Sequence, residues 1–271
     1  LKMDCTTADG SLAAGDRLFI EQQVEGQNLQ YLKKGTSSAE STTMSFWVKS
    51  NKTGTYICVL EDDNSRSISK SYTISSADTW EKKTITIPAD TTGAFNNDAN
   101  ESLMISWCLG SGTDYTSGTL QTVWGADVSA NTFAGQTANV GSSTDNDFRL
   151  TGVQLEVGST ASDFEHRPFG EELVLCQRYF HKANLPMSAT SFYAAGAYST
   201  NWAVGYPFPN EMRATPTATH SYTNRDNTAS LGTQSYTGAL NSHGCRIGGT
   251  NSLAAYPYAY WDLTSSFDAE L

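Results

Sequence analysis

Apolar and polar residues alternate with period two through much of the chain. In the segment 42–49, apolar Met44, Phe46 and Val48 fall at every second position, which is typical of a strand with one buried face. Turns rich in Gly, Asn, Asp and Ser separate the segments of this kind. The pattern predicts strands at 17–24, 42–49, 56–60, 68–74, 80–87, 103–108 and 148–155. Strands at this spacing predict a β-sandwich or jelly roll.

One segment has helical spacing instead. Leu173, Cys176 and Phe180 lie three to four residues apart, and two glutamates stand at the start, where the helix dipole favours carboxylates. The sequence predicts a helix over 171–181. Because so short a helix is marginal alone in water, we expect its apolar stripe to be buried, and Leu173→Asp to cost several kcal/mol.

The chain changes in character near this helix. Six of the seven prolines lie from Pro168 onward, and only three Lys or Arg residues follow Lys182. The sequence therefore predicts an all-β protein in three parts: an N-terminal jelly-roll β-sandwich at 1–165, a connector with a short helix at 166–185, and a smaller C-terminal β-sandwich-like domain at 186–271. Short β segments are predicted in the last part at 191–198, 202–208, 215–222 and 255–263.

Charge and hydropathy exclude two classes of partner. The 271 residues carry a formal net charge of −11 without basic clusters, so binding to a nucleic-acid phosphate backbone is not expected. No stretch of about 18 apolar residues occurs, so we expect no membrane insertion.

The five cysteines are scattered, and no two have CxxC spacing. Their odd number cannot pair fully, and their spacing does not suit a zinc site. The sequence predicts unpaired thiols, which is typical of proteins assembled in a reducing compartment.

Known catalytic motifs are absent from the sequence. It contains no Gly-x-Ser-x-Gly, His-Glu-x-x-His, P-loop or Gly-x-Gly-x-x-Gly, and its four histidines are far apart. Glu171 and Glu172 resemble a carboxylate pair, but adjacent helical residues point in different directions. We therefore predict no catalytic residue and a protein that is not an enzyme.

Two turns cluster oxygen ligands, at Glu61–Asn64 and at Asp145–Asp147. Calcium needs six to eight such oxygens, whereas Asx-rich turns form without metal. The sequence predicts no metal or cofactor, and a structural calcium ion is not supported.

Aromatic side chains are the candidates for ligand binding, because their faces stack on amphipathic rings such as sugars. Trp80 and Trp107 have apolar strand neighbours and are predicted to lie in the core. Tyr256, Tyr258 and Tyr260 alternate along one strand, and this ladder is compatible with a binding face, a subunit interface or core. The candidates in the first part are Tyr31, Trp47, Tyr56, Tyr115 and Trp124. The predicted ligand-binding set is Trp47, Trp124, Tyr56, Tyr256, Tyr258 and Tyr260.

The first part resembles a known class of sugar-binding module. Ser45–Ser50, Thr79–Ile87 and Phe148–Leu155 are similar to strands of the jelly-roll carbohydrate-binding modules found beside xylanases and glucanases. The resemblance covers about residues 15–157. In that class the closing strand usually supplies an Asp to a structural calcium ion, and here Thr151 and Gly152 occupy the place.

A longer string, Leu150–Phe180, resembles the junction in tail-fibre and related structural proteins of tailed bacteriophages. Met212–Thr217 is similar to a segment that lies after this junction in those proteins. The resemblance implies a homotrimeric virion structural protein that is assembled in the host cytoplasm and contacts other virion proteins.

The expected function is that of a tail fibre or receptor-binding appendage that attaches to host surface polysaccharide. Two alternatives stay open: a head fibre or capsid decoration protein, and an auxiliary carbohydrate-binding module of a secreted polysaccharide-degrading enzyme. Because the whole chain is acidic, the sequence predicts neutral or zwitterionic glycans as ligands.

Overall fold

The computed structural model describes residues 1–190, 199–226, 228–236, 240–253 and 258–270. The chain divides into two units, Leu1–Glu165 and His166–Glu270. The segment 166–185, predicted as a connector, is part of the second unit. The prediction of an all-β fold is confirmed.

The first unit consists of strands joined by short helical turns. The strands are β1 (Lys2–Asp4), β2 (Arg17–Glu25), β3 (Thr42–Ser50), β4 (Gly54–Asp62), β5 (Arg66–Ile74), β6 (Glu81–Ile87), β7 (Glu101–Ser111), β8 (Gly125–Ala126) and β9 (Asp147–Val157). The helices α1 (Thr113–Thr116) and α2 (Ser129–Thr132) and 3₁₀ turns at Gly26–Asn28, Gln30–Leu32 and Val140–Ser142 lie between them.

Two antiparallel sheets build this unit. One has the order β1-β9-β3-β6, and the other has the order β2-β7-β4-β5-β8. Apart from the two-residue strand β8, these are the first, last, third and sixth strands in one sheet and the second, seventh, fourth and fifth in the other. This is the arrangement of an eight-stranded jelly roll.

The core between the sheets is aromatic. Phe46 is fully buried, with its ring centroid 5.2 Å from that of Tyr72 and 5.9 Å from that of Trp107, both in edge-to-face geometry. Met44 and Val48, the neighbours of Phe46 at every second position of β3, are also fully buried. The prediction that Trp107 lies in the core is therefore confirmed. The period-two pattern of β3 reports correctly which side of this strand is inside.

The described residues of the second unit form six strands and one helix. They are α3 (Phe169–Gln177), β10 (Phe180–Thr190), β11 (Ser199–Pro207), β12 (Thr217–Asp226), β13 (Thr228–Tyr236), β14 (Gly244–Leu253) and β15 (Tyr258–Asp268). They form two three-stranded antiparallel sheets, β10-β15-β12 and β11-β14-β13. The strand predicted at 191–198 lies outside the described residues.

Sequence reasoning missed β10, β13 and β14. Pro186 lies within β10, and a proline normally argues against a strand, but β10 is at the edge of its sheet, where a missing N–H is tolerated. β14 contains three glycines, which also weaken the strand signal.

Helix α3 differs from its prediction in both length and burial. It ends at Gln177, Phe180 begins β10 instead, and no residue of the helix is buried. Leu173, Val174 and Leu175 are all more than two-fifths exposed, and Cys176 is also exposed. The prediction that the apolar stripe is buried is therefore wrong. We now expect Leu173→Asp to leave this unit folded. No helix in the described part of the chain is long and apolar enough to cross a membrane.

All five cysteines are free thiols, and three of them, Cys58, Cys108 and Cys245, are buried. Burial raises the pKa of Cys108 to about 12 and that of Cys245 to about 11. These two thiols therefore stay protonated and unreactive at neutral pH.

Candidate functional site

The outer face of the sheet β1-β9-β3-β6, which points away from the core, carries an exposed tryptophan. Trp47 stands in β3, a central strand of this sheet, and its side chain is 40% exposed. Thr151 of β9 is directly opposite it on one side, and Lys82 of β6 is directly opposite on the other. Facing pairs of this kind have their Cβ atoms about 5 Å apart. The indole is therefore bordered by a hydroxyl and an ammonium group.

A bulge in β9 lies beside Trp47. Gly152 and Val153 together oppose the single residue Phe46, and Gly152 has a φ of 58°, in the left-handed region that favours glycine. The extra residue shifts the alternation of the strand by one position. As a result Leu150 and Leu155, five residues apart, both pack on the core.

Gly152 also makes room for the aromatic rings. A Cβ atom at this position would lie 3.3 Å from Cδ1 of Trp47 and 3.8 Å from Cδ2 of Phe164. Both rings therefore lie next to Gly152. A side chain larger than hydrogen would crowd the indole and would occupy a strained backbone conformation.

The segment 158–165 folds back over this face and positions Phe164. Gln154 accepts a hydrogen bond from the backbone N–H of Glu165 at 2.8 Å, and its side-chain amide donates to Glu156. Glu156 in turn accepts from the N–H of Ser162 at 2.8 Å and from its hydroxyl at 3.0 Å. These bonds fix the backbone on both sides of Phe164, which is 39% exposed.

The charges of this face are unevenly paired. Arg149 donates to Asp147 at 2.8 Å, and Lys2 lies 3.8 Å from the same carboxylate. The hydrogen bonds from Gln154 and Ser162, together with the charge of Lys82, hold the pKa of Glu156 below its ordinary value. Among the described residues, Lys49 and Lys82 take part in no salt bridge. The face thus presents two apolar rings among hydroxyl, amide and ammonium groups.

Tyr56, which was predicted to bind ligand, lies in the core. It is fully buried in β4, its hydroxyl donates to the carbonyl of Lys52 at 2.6 Å, and its ring stacks on Tyr72 with centroids 5.6 Å apart. Burial raises its pKa to about 12, although the hydrogen bond with Ser50 opposes this shift. No face of the ring is open to a ligand, so this prediction is corrected.

Trp124 is also engaged inside the unit. Its indole N–H donates to the carbonyl of Pro88 at 3.0 Å, and Nζ of Lys34 lies 4.8 Å from the centre of its ring. The ring lines a cavity of about 20 Å³ with Leu32 and Asp90, among others. A cavity of this size has room for one water molecule and is too small for a sugar. Trp124 is only partly buried, so its stacking role stays a prediction.

The C-terminal tyrosines are only partly described. Tyr258 and Tyr260 belong to β15, where their backbones pair with Thr190 and Ser188 of β10. Tyr256 lies outside the described residues. The structure does not describe the side chains of Tyr258 and Tyr260. Their role stays a prediction.

Two further candidates of the first unit have different surroundings. Tyr31 is 49% exposed, in the turn Gln30–Leu32. Tyr115 is partly buried against Phe133, and Cζ of Arg17 lies 4.5 Å from its ring centre. Neither lies beside Trp47.

Sequence reasoning missed two exposed aromatics of the first unit. Trp80, predicted to be core, is 43% exposed just before β6. Phe164 was not considered because it stands in a segment without periodicity. The one usable signal was the polar run around it, since a lone aromatic in a polar segment has no local apolar partners to bury it.

The oxygen-rich turn at Glu61–Asn64 is held by lysine. Asp62 and Asp90 are buried and both pair with Nζ of Lys34, which lies 3.1 Å from the Asp90 carboxylate and also donates to the carbonyls of Thr92 and Gly93 at 3.0 and 2.8 Å. An ammonium group thus occupies the centre of this oxygen cluster. Within the described ranges, no group of three or more His, Cys, Asp or Glu side chains could hold a metal ion.

Comparison with known proteins adds little to this picture. No family model matches the chain, and no curated protein matches it. Among solved structures, the chain is similar to the wild-type discoidin II of Dictyostelium discoideum, with 10% identity and a TM-score of 0.23 over 86% of this chain and 72% of the other. A TM-score this low does not establish a common fold, so the all-β assignment depends on the strand pairing described above.

Proposed function

We propose that the outer face of the sheet β1-β9-β3-β6 is a carbohydrate-binding surface centred on Trp47. The observation that carries the proposal is the exposed indole of Trp47, seated against Gly152 and accompanied by Phe164 on an otherwise polar face. A sugar ring has apolar C–H faces and a polar rim, and this face has the matching arrangement of rings and hydrogen-bonding groups. The rigid β-bulge keeps the indole in place before a ligand arrives, which lowers the entropic cost of binding.

The proposal extends to the biological setting. The protein is a structural component of a tailed-phage virion, in a tail fibre or other receptor-binding appendage that attaches to host surface glycans. The support is the resemblance of Leu150–Phe180 and Met212–Thr217 to such proteins. In this setting the protein binds and does not catalyse. Several copies on one particle would raise avidity by orders of magnitude over a weak single site.

A homotrimer is part of this proposal, and the exposed helix α3 supports self-association. Phe169 is 81% exposed and lies one helical turn before Leu173, which is 42% exposed, so α3 presents apolar side chains to water. We expect light scattering to give a trimer for the wild type and a lower mass for Leu173→Asp, without a large change in melting temperature. The matched control is Val123→Asp, which places the same charge at an exposed apolar residue of the first unit. This variant should remain trimeric. A monomeric wild type would contradict the proposal of a trimer. If Leu173→Asp remains trimeric, α3 is not part of the trimer interface.

The test of the binding function uses an array of bacterial capsular and lipopolysaccharide glycans, both neutral and acidic. We expect the wild type to bind at least one of them, and Trp47→Ala to bind it at least about 30-fold more weakly, equivalent to about 2 kcal/mol. Phe164→Ala should weaken the same interaction to a smaller degree. Affinities are measured by calorimetry on the glycans that the array selects.

Tyr31→Ala is the matched control, because Tyr31 is an exposed aromatic of the same unit that does not border Trp47. Its affinity should equal that of the wild type. If Tyr31→Ala loses binding and Trp47→Ala retains it, the glycan binds at Tyr31 and the proposed binding surface around Trp47 is wrong. If no glycan binds the wild type, the proposed function is wrong.

A further inference from the structure

Two lysines lie next to the exposed indole. Lys82 is directly opposite Trp47 on the neighbouring strand, about 5 Å away, and Lys49 is two residues along β3 on the same face, about 7 Å away. In the described part of the chain, neither ammonium group is committed to a salt bridge. A chain with a net charge of −11 therefore has two cations outside any described salt bridge beside the exposed indole of Trp47.

The carboxylates of this face are arranged differently. Asp147 is held by Arg149 and Lys2, and Glu156 by Gln154 and Ser162. Asp163 and Glu165, both exposed, flank Phe164 along the chain. Lys49 and Lys82 are therefore the cations beside Trp47 that lie outside the described salt bridges, and the charge of Lys82 also acts on Glu156.

Local charge decides the interaction at this face, because salt screens distant charges. The screening length is about 8–10 Å at physiological ionic strength, so the acidic residues elsewhere on the chain have little effect on a ligand at Trp47. The two lysines lie within that distance of the indole.

From this arrangement we infer that the ligand of the Trp47 face is an acidic glycan, with a uronic acid residue whose ring stacks on Trp47 and whose carboxylate binds Lys49 and Lys82. The inference depends on the proposed carbohydrate-binding function and names its ligand class. It reverses the expectation of a neutral or zwitterionic glycan drawn from the net charge.

In this arrangement the carboxylate of the ligand lies next to Lys49 and Lys82 and away from Asp163 and Glu165. Binding of this kind carries an electrostatic contribution that added salt weakens, whereas stacking of a neutral ring is almost independent of salt.

The test compares each acidic oligosaccharide with its own methyl ester, which removes the charge and keeps the sugar. The probes are tetragalacturonate and tetramannuronate, beside the neutral and acidic glycans of the array. We expect the wild type to bind at least one of the free acids about tenfold more tightly than the ester. Raising the salt concentration should reduce this difference.

Two sets of variants separate the contributions. Lys49→Gln/Lys82→Gln should remove the preference for the free acid and leave the affinity for the ester unchanged, while Trp47→Ala should weaken both. The control Lys33→Gln/Lys182→Gln changes the net charge equally at two exposed lysines, one in the segment before β3 and one in the second unit, and should keep the preference.

The outcomes distinguish this inference from the proposed function. If the ester binds as tightly as the acid, or if only neutral glycans of the array bind in a Trp47-dependent manner, the acidic ligand is wrong while the carbohydrate-binding face stands. If the control double variant also loses the preference, overall charge is responsible and the inference fails. If no glycan of either kind binds, the proposed function itself fails.

Discussion

Replacing Lys34 by methionine is expected to lower the free energy of unfolding of the first unit by about 3–5 kcal/mol. The ammonium of Lys34 is buried between the carboxylates of Asp62 and Asp90, and Arg66 completes a neutral group by donating to Asp90 at 2.9 and 3.1 Å. Methionine has a similar length but no charge. Two buried carboxylates would then share a single cation, and removing one partner of a buried pair is costly because the remaining charge stays desolvated.

The stabilisation from this ion-pair group should depend on pH in a definite direction. Burial alone would raise the pKa of Asp90, but hydrogen bonds from Arg66, Thr92 and Lys34 outweigh it and lower the pKa below the ordinary value. The stabilisation from this group is therefore complete above the pKa of an unfolded aspartate and is lost as pH falls through the lower folded pKa. In Lys34→Met, Asp90 loses one of the hydrogen bonds that lower its pKa and takes up a proton more readily. We expect the difference from wild type to shrink as pH falls to about 4 and below, toward the lower folded pKa of Asp90.

Denaturant unfolding measures this effect, and Lys33→Met is its control. Lys33 is the adjacent residue, but its ion pair with Glu40 is solvent-exposed on both sides, so its loss should cost less than about 1 kcal/mol. Adding Asp62→Asn to Lys34→Met should recover part of the stability, because it removes one uncompensated charge. Equal losses at Lys33 and Lys34 would contradict the account of a buried ion pair.

Phe46 and Trp47 are adjacent in β3 but are expected to respond in opposite ways to replacement by alanine. Phe46→Ala removes a fully buried ring that contacts Tyr72 and Trp107, and should lower the free energy of unfolding by about 3–5 kcal/mol. Trp47→Ala removes a ring on the outer face and should cost less than about 1 kcal/mol. Binding should show the reverse order. Trp47→Ala should lose most of its affinity, whereas the folded molecules of Phe46→Ala should bind nearly as tightly as the wild type.

Thermal and denaturant unfolding of both variants tests this pair. Should Phe46→Ala not fold, Phe46→Leu keeps most of the volume and should show a smaller loss of stability, again without loss of binding. A drop in stability at Trp47 as large as that at Phe46 would mean that the indole is part of the core, and the proposed binding face would have to be abandoned.

Much of the fold could be predicted because strand alternation is a local property. The pattern in β3 identifies Met44, Phe46 and Val48 as one face because successive side chains of a strand point to opposite sides. The run Tyr56–Leu60 is apolar without interruption, a signal of a strand buried on both faces. That signal would have placed Tyr56 in the core, where the structure has it.

Other features depended on contacts between residues that are distant in sequence. Lys34 meets Asp62 and Asp90 across 28 and 56 positions, and no local pattern links them. In the same way, Phe164 lies near Gly152, beside Trp47, because Gln154 and Glu156 hold the returning segment over the sheet. Helix α3 has an apolar stripe by its spacing, yet no residue of the helix is buried.

Local sequence patterns were enough to establish that this protein is all-β, where most strands of its first unit lie, and that Phe46 and Trp107 belong inside. Tertiary contacts were needed to establish which aromatics face water: Trp47, Phe164 and Trp80 do, whereas Tyr56 does not and Trp124 is half-buried. The difference arises because alternation separates the two faces of a strand but does not say what covers each face. That depends on the order of strands in the sheets, on the bulge at Gly152 and on segments that return from elsewhere in the chain.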